Sequence, residues 1–250
     1  MRKKIFKNKP AVLLAASAVL LMASTVGSTR AALTYYSETY SAEVTVSNIG
    51  VTLLENGEPI SYRNYLKDDN WDESTGVLLA NMLSEGEALT LGKTYTEEIA
   101  VTNSGSIDSY VRVILRKSWV DENGVKDTTL SPSLIQLHLL EGSGWVIDQK
   151  NSTPERTVLY YTSVLPVGET TPEITDILRI DPAIGTKVVE TVTTDENGYK
   201  TITYDYEYDG YTFYIEAEVD AVQTHNAVDA IKSAWGVDVT VSDGSLSLQG

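Results

Sequence analysis

Alternation of apolar and polar side chains is the strongest signal along this chain, and it predicts β-strands. In Ser109–Val120 every second residue falls on the same face of an extended chain. One face carries Val111, Val113, Leu115, Lys117 and Trp119, and the other carries Tyr110, Arg112, Ile114, Arg116 and Ser118. Residues 211–222 alternate in the same way, with an apolar face of Tyr211, Phe213, Ile215, Ala217 and Val219. Both segments are predicted to be long strands with one buried face.

Shorter segments rich in β-branched and aromatic residues predict the other strands. They are residues 42–54, 95–101, 136–141, 145–148, 158–164, 174–180, 188–194, 199–206 and 237–241. Residues 136–141 and 145–148 are predicted to pair as one hairpin, and residues 188–206 to form another. The polar, acidic residues 63–76 predict a loop. About a dozen short strands favour an all-β fold, an antiparallel jelly-roll β-sandwich with the loop and the second hairpin as insertions.

One short C-terminal helix is predicted over residues 226–235. Asn226 is a suitable N-cap, and Asp229 lies at the third helical position, as in a capping box. Gly236 supplies the C-terminal stop. The apolar face that would pack on the sheets consists of Val228, Ile231 and Trp235.

Turn signals punctuate the strands. The tetrapeptide Asp-Glu-Asn-Gly occurs at residues 121–124 and again at residues 195–198, and Asn-Gly is typical of hairpin turns. A calcium loop needs six to eight oxygen ligands, and no acidic pattern that would supply them follows either tetrapeptide, so plain turns are predicted. A short helical turn is expected at residues 131–135, with Ser131 as its cap and Pro132 in its first position.

The first 31 residues have the order of a secretory signal peptide. A basic run comes first: Arg2, Lys3, Lys4, Lys7 and Lys9. An apolar run follows at residues 11–26, and small residues follow at 27–32. Cleavage after Ala31 places small side chains in the recognition subsites and makes Ala32 the new N-terminus. The alternative is an uncleaved membrane anchor, for which the apolar run is marginal because a helical span needs about 20 residues.

Charge and cysteine content exclude several functions. The chain of 250 residues carries 19 basic and 35 acidic residues, a formal net charge of −16, and part of the basic set lies in the predicted leader. Such an acidic chain repels nucleic acid and anionic lipid, so neither is expected as a partner. The absence of cysteine excludes disulfides, thiol nucleophiles and cysteine-ligated zinc.

The sequence predicts no catalytic, cofactor-binding or metal site. Its two histidines, His138 in an apolar strand and His225 before the helix, belong to no zinc motif. It has no Gly-x-Ser-x-Gly elbow, no phosphate loop and no dinucleotide fingerprint. Glu216, Glu218 and Asp220 alternate on one strand face, which is typical of a solvated face. We therefore expect a protein that is not an enzyme and that needs no cofactor.

Four stretches of the chain carry a family resemblance. The first is the junction at residues 27–37 (GSTRAALTYYS), which resembles the signal peptides cut by the SipW-type signal peptidase. The others are residues 91–113, with Asn103-Ser104-Gly105 between two strands, residues 160–170 and residues 217–226. In this order they resemble the TasA/camelysin family of secreted biofilm-matrix proteins, and they are distributed along most of the chain after the leader.

The resemblance implies a jelly-roll protein, secreted to the extracellular matrix or the cell surface, that assembles with itself head to tail into fibres. In such fibres the extended N-terminus of one subunit completes the sheet of the next. The donor role then falls on Ala32, Leu33, Thr34, Tyr35, Tyr36, Ser37, Glu38, Thr39 and Tyr40. The implied organisation is a signal peptide at 1–31, an extended segment at 32–41 and a jelly-roll domain at 42–250. Implied partners are other copies of the chain, a signal peptidase and an accessory matrix or anchoring protein.

Other interpretations remain open at this point. Segment 32–40 has the alternatives of a leader without fixed structure and of an edge strand within its own subunit. The chain as a whole could instead be a monomeric cell-surface binding module, an adhesin whose tyrosine-rich loops contact sugar or protein. Some relatives in the resembled family are labelled metallopeptidases, but this chain lacks the zinc motif of that activity.

Overall fold

The structure, a computed structural model, describes residues 48–67, 70–140, 142–194, 196 and 199–249. The predicted signal peptide, its cleavage residues Ala31 and Ala32 and the assembly segment through Tyr40 lie outside these residues. So does most of the second Asp-Glu-Asn-Gly turn. The described residues form antiparallel β-sheets with one α-helix, so the all-β prediction is confirmed.

The first sheet contains six strands. They are β1 (Gly50–Glu55), β2 (Glu58–Lys67), β3 (Asn70–Ser74), β4 (Thr94–Thr102), β7 (Ile135–Leu139) and β10 (Thr175–Ile180). Their order across the sheet is β3-β2-β1-β4-β10-β7, and all neighbours are antiparallel. The sheet therefore ends on β3 at one side and on β7 at the other.

The second sheet is built around the most strongly alternating segment of the sequence. Its strands are β5 (Ser109–Val120), β8 (Trp145–Ile147), β9 (Arg156–Tyr161) and β13 (Thr212–Gln223), in the order β13-β5-β9-β8. A short strand, β6 (Lys126–Asp127), pairs with the end of β5. β13 and β5 stay in register without a bulge from Thr212 opposite Val120 to Gln223 opposite Ser109.

The two sheets pack face to face around one apolar core. Val51 and Leu53 of β1, Ile99 and Val101 of β4, and Val111, Val113 and Leu115 of β5 are all buried in the same cluster. The predicted β-sandwich is therefore present. Strands that are not consecutive in the sequence pair antiparallel within each sheet, β4 with β10 in the six-stranded sheet and β5 with β9 in the five-stranded sheet. The full jelly-roll connectivity stays a prediction.

A second apolar layer covers the outer face of the five-stranded sheet. It consists of helix α1 (Ala227–Trp235) and the hairpin of β14 (Val239–Ser242) and β15 (Ser245–Leu248). Ile231 and Leu246 are almost completely buried there, in one cluster with Tyr110 and Tyr160. Both faces of β5 are thus covered, which explains why its polar-looking row includes Tyr110 and Ile114.

A separate hairpin lies outside these layers. β11 (Val188–Thr194) and β12 (Lys200–Tyr206) pair in register as a two-stranded sheet, which confirms the predicted insertion. Every residue of both strands is exposed. Two short 3-10 helices, Pro132–Leu134 and Pro182–Thr186, complete the regular structure of the described residues.

Several sequence predictions about strands are wrong. Residues 63–76 are not a loop, because most of them belong to β2 and β3. Residues 136–141 and 145–148 do not form a hairpin, since β7 and β8 lie in different sheets. Within residues 42–54 the predicted strand is present from Gly50 onward, and residues 42–47 lie outside the described part of the chain. The strand predicted at 237–241 is present as β14, and it pairs with β15, which the sequence pattern does not predict.

The predicted helix is present, but its cap differs. Asn226 adopts a left-handed conformation, with φ 51° and ψ 42°, and its side chain makes no capping hydrogen bond. Ser131 also makes no side-chain cap. Gly236 ends the helix as predicted, at φ 71°. Val228 is exposed rather than packed, and Ala227 takes its place beside Ile231 in the buried face.

Candidate functional site: an open strand edge beside a groove

β13 presents the longest open strand edge of the five-stranded sheet. It pairs with β5 along one side, and no other strand of the described residues pairs with its opposite side. An edge of 12 residues presents a row of main-chain N–H and C=O groups, which is a template for another strand. Such an edge is normally shortened, covered or guarded in a soluble protein, so a long open one is a candidate binding feature.

The inward row of β13 is only partly covered. Phe213, Ile215, Ala217 and Val219 point toward the opposite sheet and pack against the core clusters. Ile215 is buried, but Phe213, Ala217 and Val219 remain partly exposed. The core is therefore incomplete along this edge, on the side where a further strand of the five-stranded sheet would lie.

The opposite wall comes from the six-stranded sheet. Arg63 pairs with Val51, and Ser61 pairs with Leu53. Because paired residues share a face of the sheet, Arg63 and Ser61 lie on the inner face with the buried Val51 and Leu53. β2 therefore continues the inner face beyond β1, and it lines a groove with β13 across from it.

The groove has a volume of about 840 Å³. Its apolar lining includes Val51, Leu53, Ile60, Leu78, Ala217 and Val219. The end of β3 and the segment after it, residues 73–79, form one of its walls. Gly76 lies so close to β2 that a Cβ at this position would overlap the carbonyl oxygen of Ile60, so only glycine lets this wall approach.

Charged and aromatic side chains form the rim. Arg63 makes an ion pair with Glu73 at 3.1 Å and lies over the Trp71 ring, with 4.4 Å from guanidinium carbon to ring centroid. The ring of Tyr65 meets Trp71 edge-on, at 5.1 Å between centroids. Together these groups give the groove a rim that can hold both aromatic and polar side chains of an incoming chain.

Two buried carboxyl groups lie behind the wall. Glu97 on β4 is 1% exposed, and neither of its carboxyl oxygens has a hydrogen-bond partner among the described residues. Burial and the neighbouring Glu55 carboxylate raise the pKa of Glu97 to about 8. Glu55, 8% exposed, accepts a hydrogen bond at 2.5 Å from the main-chain N–H of Leu79, a residue of the groove wall.

The sequence-predicted residues are placed as follows. The nine residues of the assembly segment and the cleavage residues lie outside the described part of the chain. His138 Nδ1 lies 2.6 Å from Asp176 Oδ1 on the outer face of the six-stranded sheet, and its side chain is 62% exposed. His225 is exposed just before α1. Neither histidine lines the groove.

Sequence reasoning missed Glu55 and Glu97. The available signal was their position in the alternation, since Glu55 continues the row of Val51 and Leu53, and Glu97 lies between Tyr95 and Ile99. An acidic residue in an inward row must be paired, neutralised or functional. The open edge of β13 gave no signal, because an edge is a property of the sheet and not of the strand.

Within the described residues, no cluster of three or more histidine, cysteine, aspartate or glutamate side chains is arranged to hold a metal ion. None of the described helices is long and apolar enough to cross a membrane. Comparison with family models, with curated proteins and with solved structures found no match for this chain.

Proposed function

We propose that this chain is a secreted structural subunit of extracellular fibres, in which residues 32–40 of one subunit add a strand to the β13 edge of the next. The observation that carries the proposal is the long open edge of β13 beside a half-covered apolar groove. Strand addition supplies main-chain hydrogen bonds for affinity, while alternate side chains fill the groove. The proposal assigns the chain a structural role and not an enzymatic one.

The predicted donor fits the edge in length. Nine residues in extended conformation span about 30 Å, and the 12 residues of β13 span about 40 Å. The donor contains no glycine or proline, and its tyrosines and threonines suit a half-buried strand. Alternate donor side chains would meet the apolar lining of the groove, and the others would face outward beside Glu216 and Glu218.

Electrostatics on the outer side of this edge also permit a donor. Two of the three carboxylates in the outward row of β13 are paired with arginines of β5, Asp220 with Arg112 and Glu218 with Arg116. Glu38 is the only charged side chain of the donor, and cleavage adds a positive α-amino group at Ala32. Repulsion between donor and edge is therefore limited.

Secretion restricts where the fibres form. Until cleavage after Ala31, residues 32–40 remain joined to the leader, so a free donor terminus arises only as the chain is exported. An N-terminal donor therefore confines assembly to the outside of the cell.

The test uses two purified forms of the chain, one beginning at Ala32 and one at Ser41. Both are incubated at the same concentration and followed by light scattering and electron microscopy. We expect fibres from the first form only. Monomers from both forms would overturn the proposal.

A second experiment supplies the donor segment as a separate peptide, so that its binding to the edge is measured directly. A synthetic peptide with the sequence of residues 32–40 is added to the form that begins at Ser41, and binding is measured by fluorescence anisotropy. We expect saturable binding, with a scrambled peptide of the same composition as the matched control. Equal binding of the two peptides would contradict recognition by strand addition.

A second candidate function, a monomeric binding module, is favoured by one observation. Tyr62 and Trp71 on the β2–β3 hairpin are 37% and 42% exposed, and exposed aromatic rings with polar neighbours are typical of recognition surfaces. It predicts monomers whatever the N-terminus and a ligand that quenches tryptophan fluorescence. Replacement of Trp71 by alanine would abolish that quenching.

A further inference from the structure

The inward row of β4 carries a carboxyl group that no hydrogen bond explains. Tyr95, Glu97, Ile99 and Val101 share this row, and all four are buried. Glu97 is 1% exposed, and both of its carboxyl oxygens lack a partner among the described residues. A buried carboxylate without partners is costly, whereas a protonated carboxyl group can satisfy itself by donating to a nearby oxygen.

Glu55 is the acceptor that the sheet topology places beside Glu97. In the antiparallel β1–β4 pair, Glu55 lies opposite Ile99. Glu97, two residues further along the same row, is therefore the diagonal neighbour of Glu55, at a separation that long side chains bridge. Glu55 is itself buried, and one of its oxygens already accepts the N–H of Leu79 at 2.5 Å.

The described elements around the pair supply no cation to it. Among the described side chains of the inward rows, the cations have their own partners: Lys117 on β5 donates to the carbonyl oxygen of Ile135, and Arg63 on β2 pairs with Glu73. The hydroxyl of Tyr95 on β4 accepts the N–H of Thr90. Asp176 and Arg179 on β10 flank buried residues of the inward row and face outward, as Glu216, Glu218 and Asp220 do on β13. Glu98 alternates with Glu97 and also faces outward.

Leu79 connects this pair to the groove. It has φ 66°, a left-handed conformation that is unfavourable for leucine. The hydrogen bond to Glu55 helps to hold it there. Leu78 and Leu79 line the groove and pack on the apolar core, so the position of this wall depends on the Glu55 carboxyl group.

We infer that Glu55 and Glu97 share one proton, and that loss of this proton releases the wall segment at residues 77–79 and opens the groove. With the proton present, the Glu97 hydroxyl donates to one oxygen of Glu55, while the other oxygen accepts the N–H of Leu79. When the proton leaves to solvent, two carboxylates face each other inside the sandwich. Glu55 then turns toward water, its bond to Leu79 breaks, and Leu79 leaves its left-handed conformation.

A shared proton explains the pair better than a bound cation does. Calcium takes six to eight oxygen ligands and magnesium six, whereas two carboxyl groups are all that the described residues offer at this position. The alkaline direction agrees with the raised pKa of Glu97, which follows from its burial and from the Glu55 carboxylate. The effect on fibre assembly rests on the proposed function, but the titration of the wall does not.

The test is hydrogen–deuterium exchange of the chain that begins at Ala32, at a concentration and time at which light scattering detects no fibres, read by mass spectrometry on peptides covering residues 77–82. Exchange is corrected for the intrinsic effect of pH and measured from pH 6 to pH 9.5. We expect protection of this segment to fall by about tenfold or more, which corresponds to one pKa unit of coupling. Unchanged protection through pH 9.5 would overturn the inference.

Two variants and one matched control locate the proton. Glu97→Gln keeps a hydrogen-bond donor beside Glu55 and should keep the segment protected at pH 9.5. Glu55→Gln leaves no second carboxylate to repel Glu97, and its amide keeps an acceptor for Leu79 and adds a donor for Glu97, so the alkaline loss of protection should disappear. Glu98→Gln, on the outer face of the same strand, should behave as the native chain does. A midpoint that neither Glu97→Gln nor Glu55→Gln moves would refute the shared proton.

Addition of calcium tests whether the pair binds a cation instead of a proton. Restored protection of the native segment at pH 9 by millimolar calcium would show that the pair holds a cation, and the inference would fail. Fibre formation is measured separately on the same samples. If exchange titrates but no fibres form at any pH, the shared proton stands and the proposed function falls. If fibres form but exchange does not change with pH, the proposed function stands and the shared proton falls.

Discussion

Arg112 on β5 and Asp220 on β13 lie directly opposite each other and are joined by two hydrogen bonds. The Nε and Nη2 atoms of Arg112 donate to Asp220 Oδ2 at 2.9 and 2.5 Å. The guanidinium carbon also lies 5.4 Å from the centroid of the Trp235 ring. One side chain thus links the edge strand, the central strand and helix α1.

Loss of this ion pair should destabilise the fold more than loss of its neighbour on the same strands. The Arg112 side chain is 14% exposed, whereas Arg116, paired with Glu218 at 2.7 Å, is 40% exposed. We expect Asp220→Ala to cost about 1.5–3 kcal/mol, as for a partly buried hydrogen bond to a charged group. Glu218→Ala should cost less than about 1 kcal/mol, because solvent screens the exposed pair. Urea denaturation measures both, and equal costs would contradict the assignment.

The parts of the fold that the sequence predicts best are those in which one strand has one buried face. β13 and the inward row of β5 alternate clearly because each inward side chain meets the same core. β2 and β3 were mistaken for a loop for the opposite reason. Their inner face opens into the groove, so it carries Arg63, Trp71 and Glu73 instead of an apolar row.

The candidate site was largely beyond reach of sequence patterns. A strand edge is open or closed according to which strands lie beside it, and local alternation contains no information about that. The error of pairing β7 with β8 has the same origin, since their spacing fits a hairpin although the chain crosses between sheets. Glu97 could have been recognised from its inward position, but its partner Glu55 depends on the pairing of β1 with β4.

Global stability should fall as pH rises through the titration of Glu97. In the folded chain its pKa is raised to about 8, compared with an ordinary value of 4.5. Between these two pH values the folded state holds a proton that the unfolded state has lost. The contribution of Glu97 to stability is therefore complete below about pH 4.5 and decreases as the pH rises to about 8. Each pKa unit corresponds to about 1.4 kcal/mol.

Guanidinium denaturation at pH 5.5 and at pH 9 checks this expectation. The native chain should lose at least about 1.4 kcal/mol between the two. Glu97→Gln should remove most of this dependence, while Glu98→Gln should leave it in place. The inward position of Glu97 would have no energetic consequence if the native chain and Glu97→Gln showed the same slope.

Filling the groove should block assembly without unfolding the subunit. Ala217 is a small inward side chain of β13 that lines the groove and is only partly buried. Phenylalanine at this position would occupy space that the donor strand needs, and it would extend into the groove instead of overpacking a closed core. We expect Ala217→Phe to abolish fibres, with a change in unfolding free energy below about 1.5 kcal/mol.

The matched control is Glu216→Gln, one residue away on the outer face of β13. Fibre growth is followed by light scattering, and folding by circular dichroism. The control should assemble as the native chain does. Normal fibre growth by a folded Ala217→Phe variant would exclude the groove as the acceptor.

Removal of the β11–β12 hairpin should leave the sandwich intact. All residues of both strands are exposed, and none belongs to an apolar core cluster of the described residues. Val188 and Tyr206 lie opposite each other at the base, so a short glycine-serine linker can replace residues 189–205. We expect the unfolding free energy of the shortened chain to change by less than about 0.5 kcal/mol, as for other surface changes.

Leu246→Ala gives the scale for that comparison. Leu246 is 1% exposed in the layer over β5 and β9, and its truncation should cost about 2–5 kcal/mol. A shortened chain as unstable as Leu246→Ala would mean that the hairpin supports the fold. The hairpin exposes an apolar row of Val188, Val192, Ile202, Tyr204 and Tyr206, which a lateral contact between subunits would cover. Fibres that form at the β13 edge but fail to bundle after the deletion would place the hairpin at that lateral contact, whereas unaltered bundles would leave it an appendage.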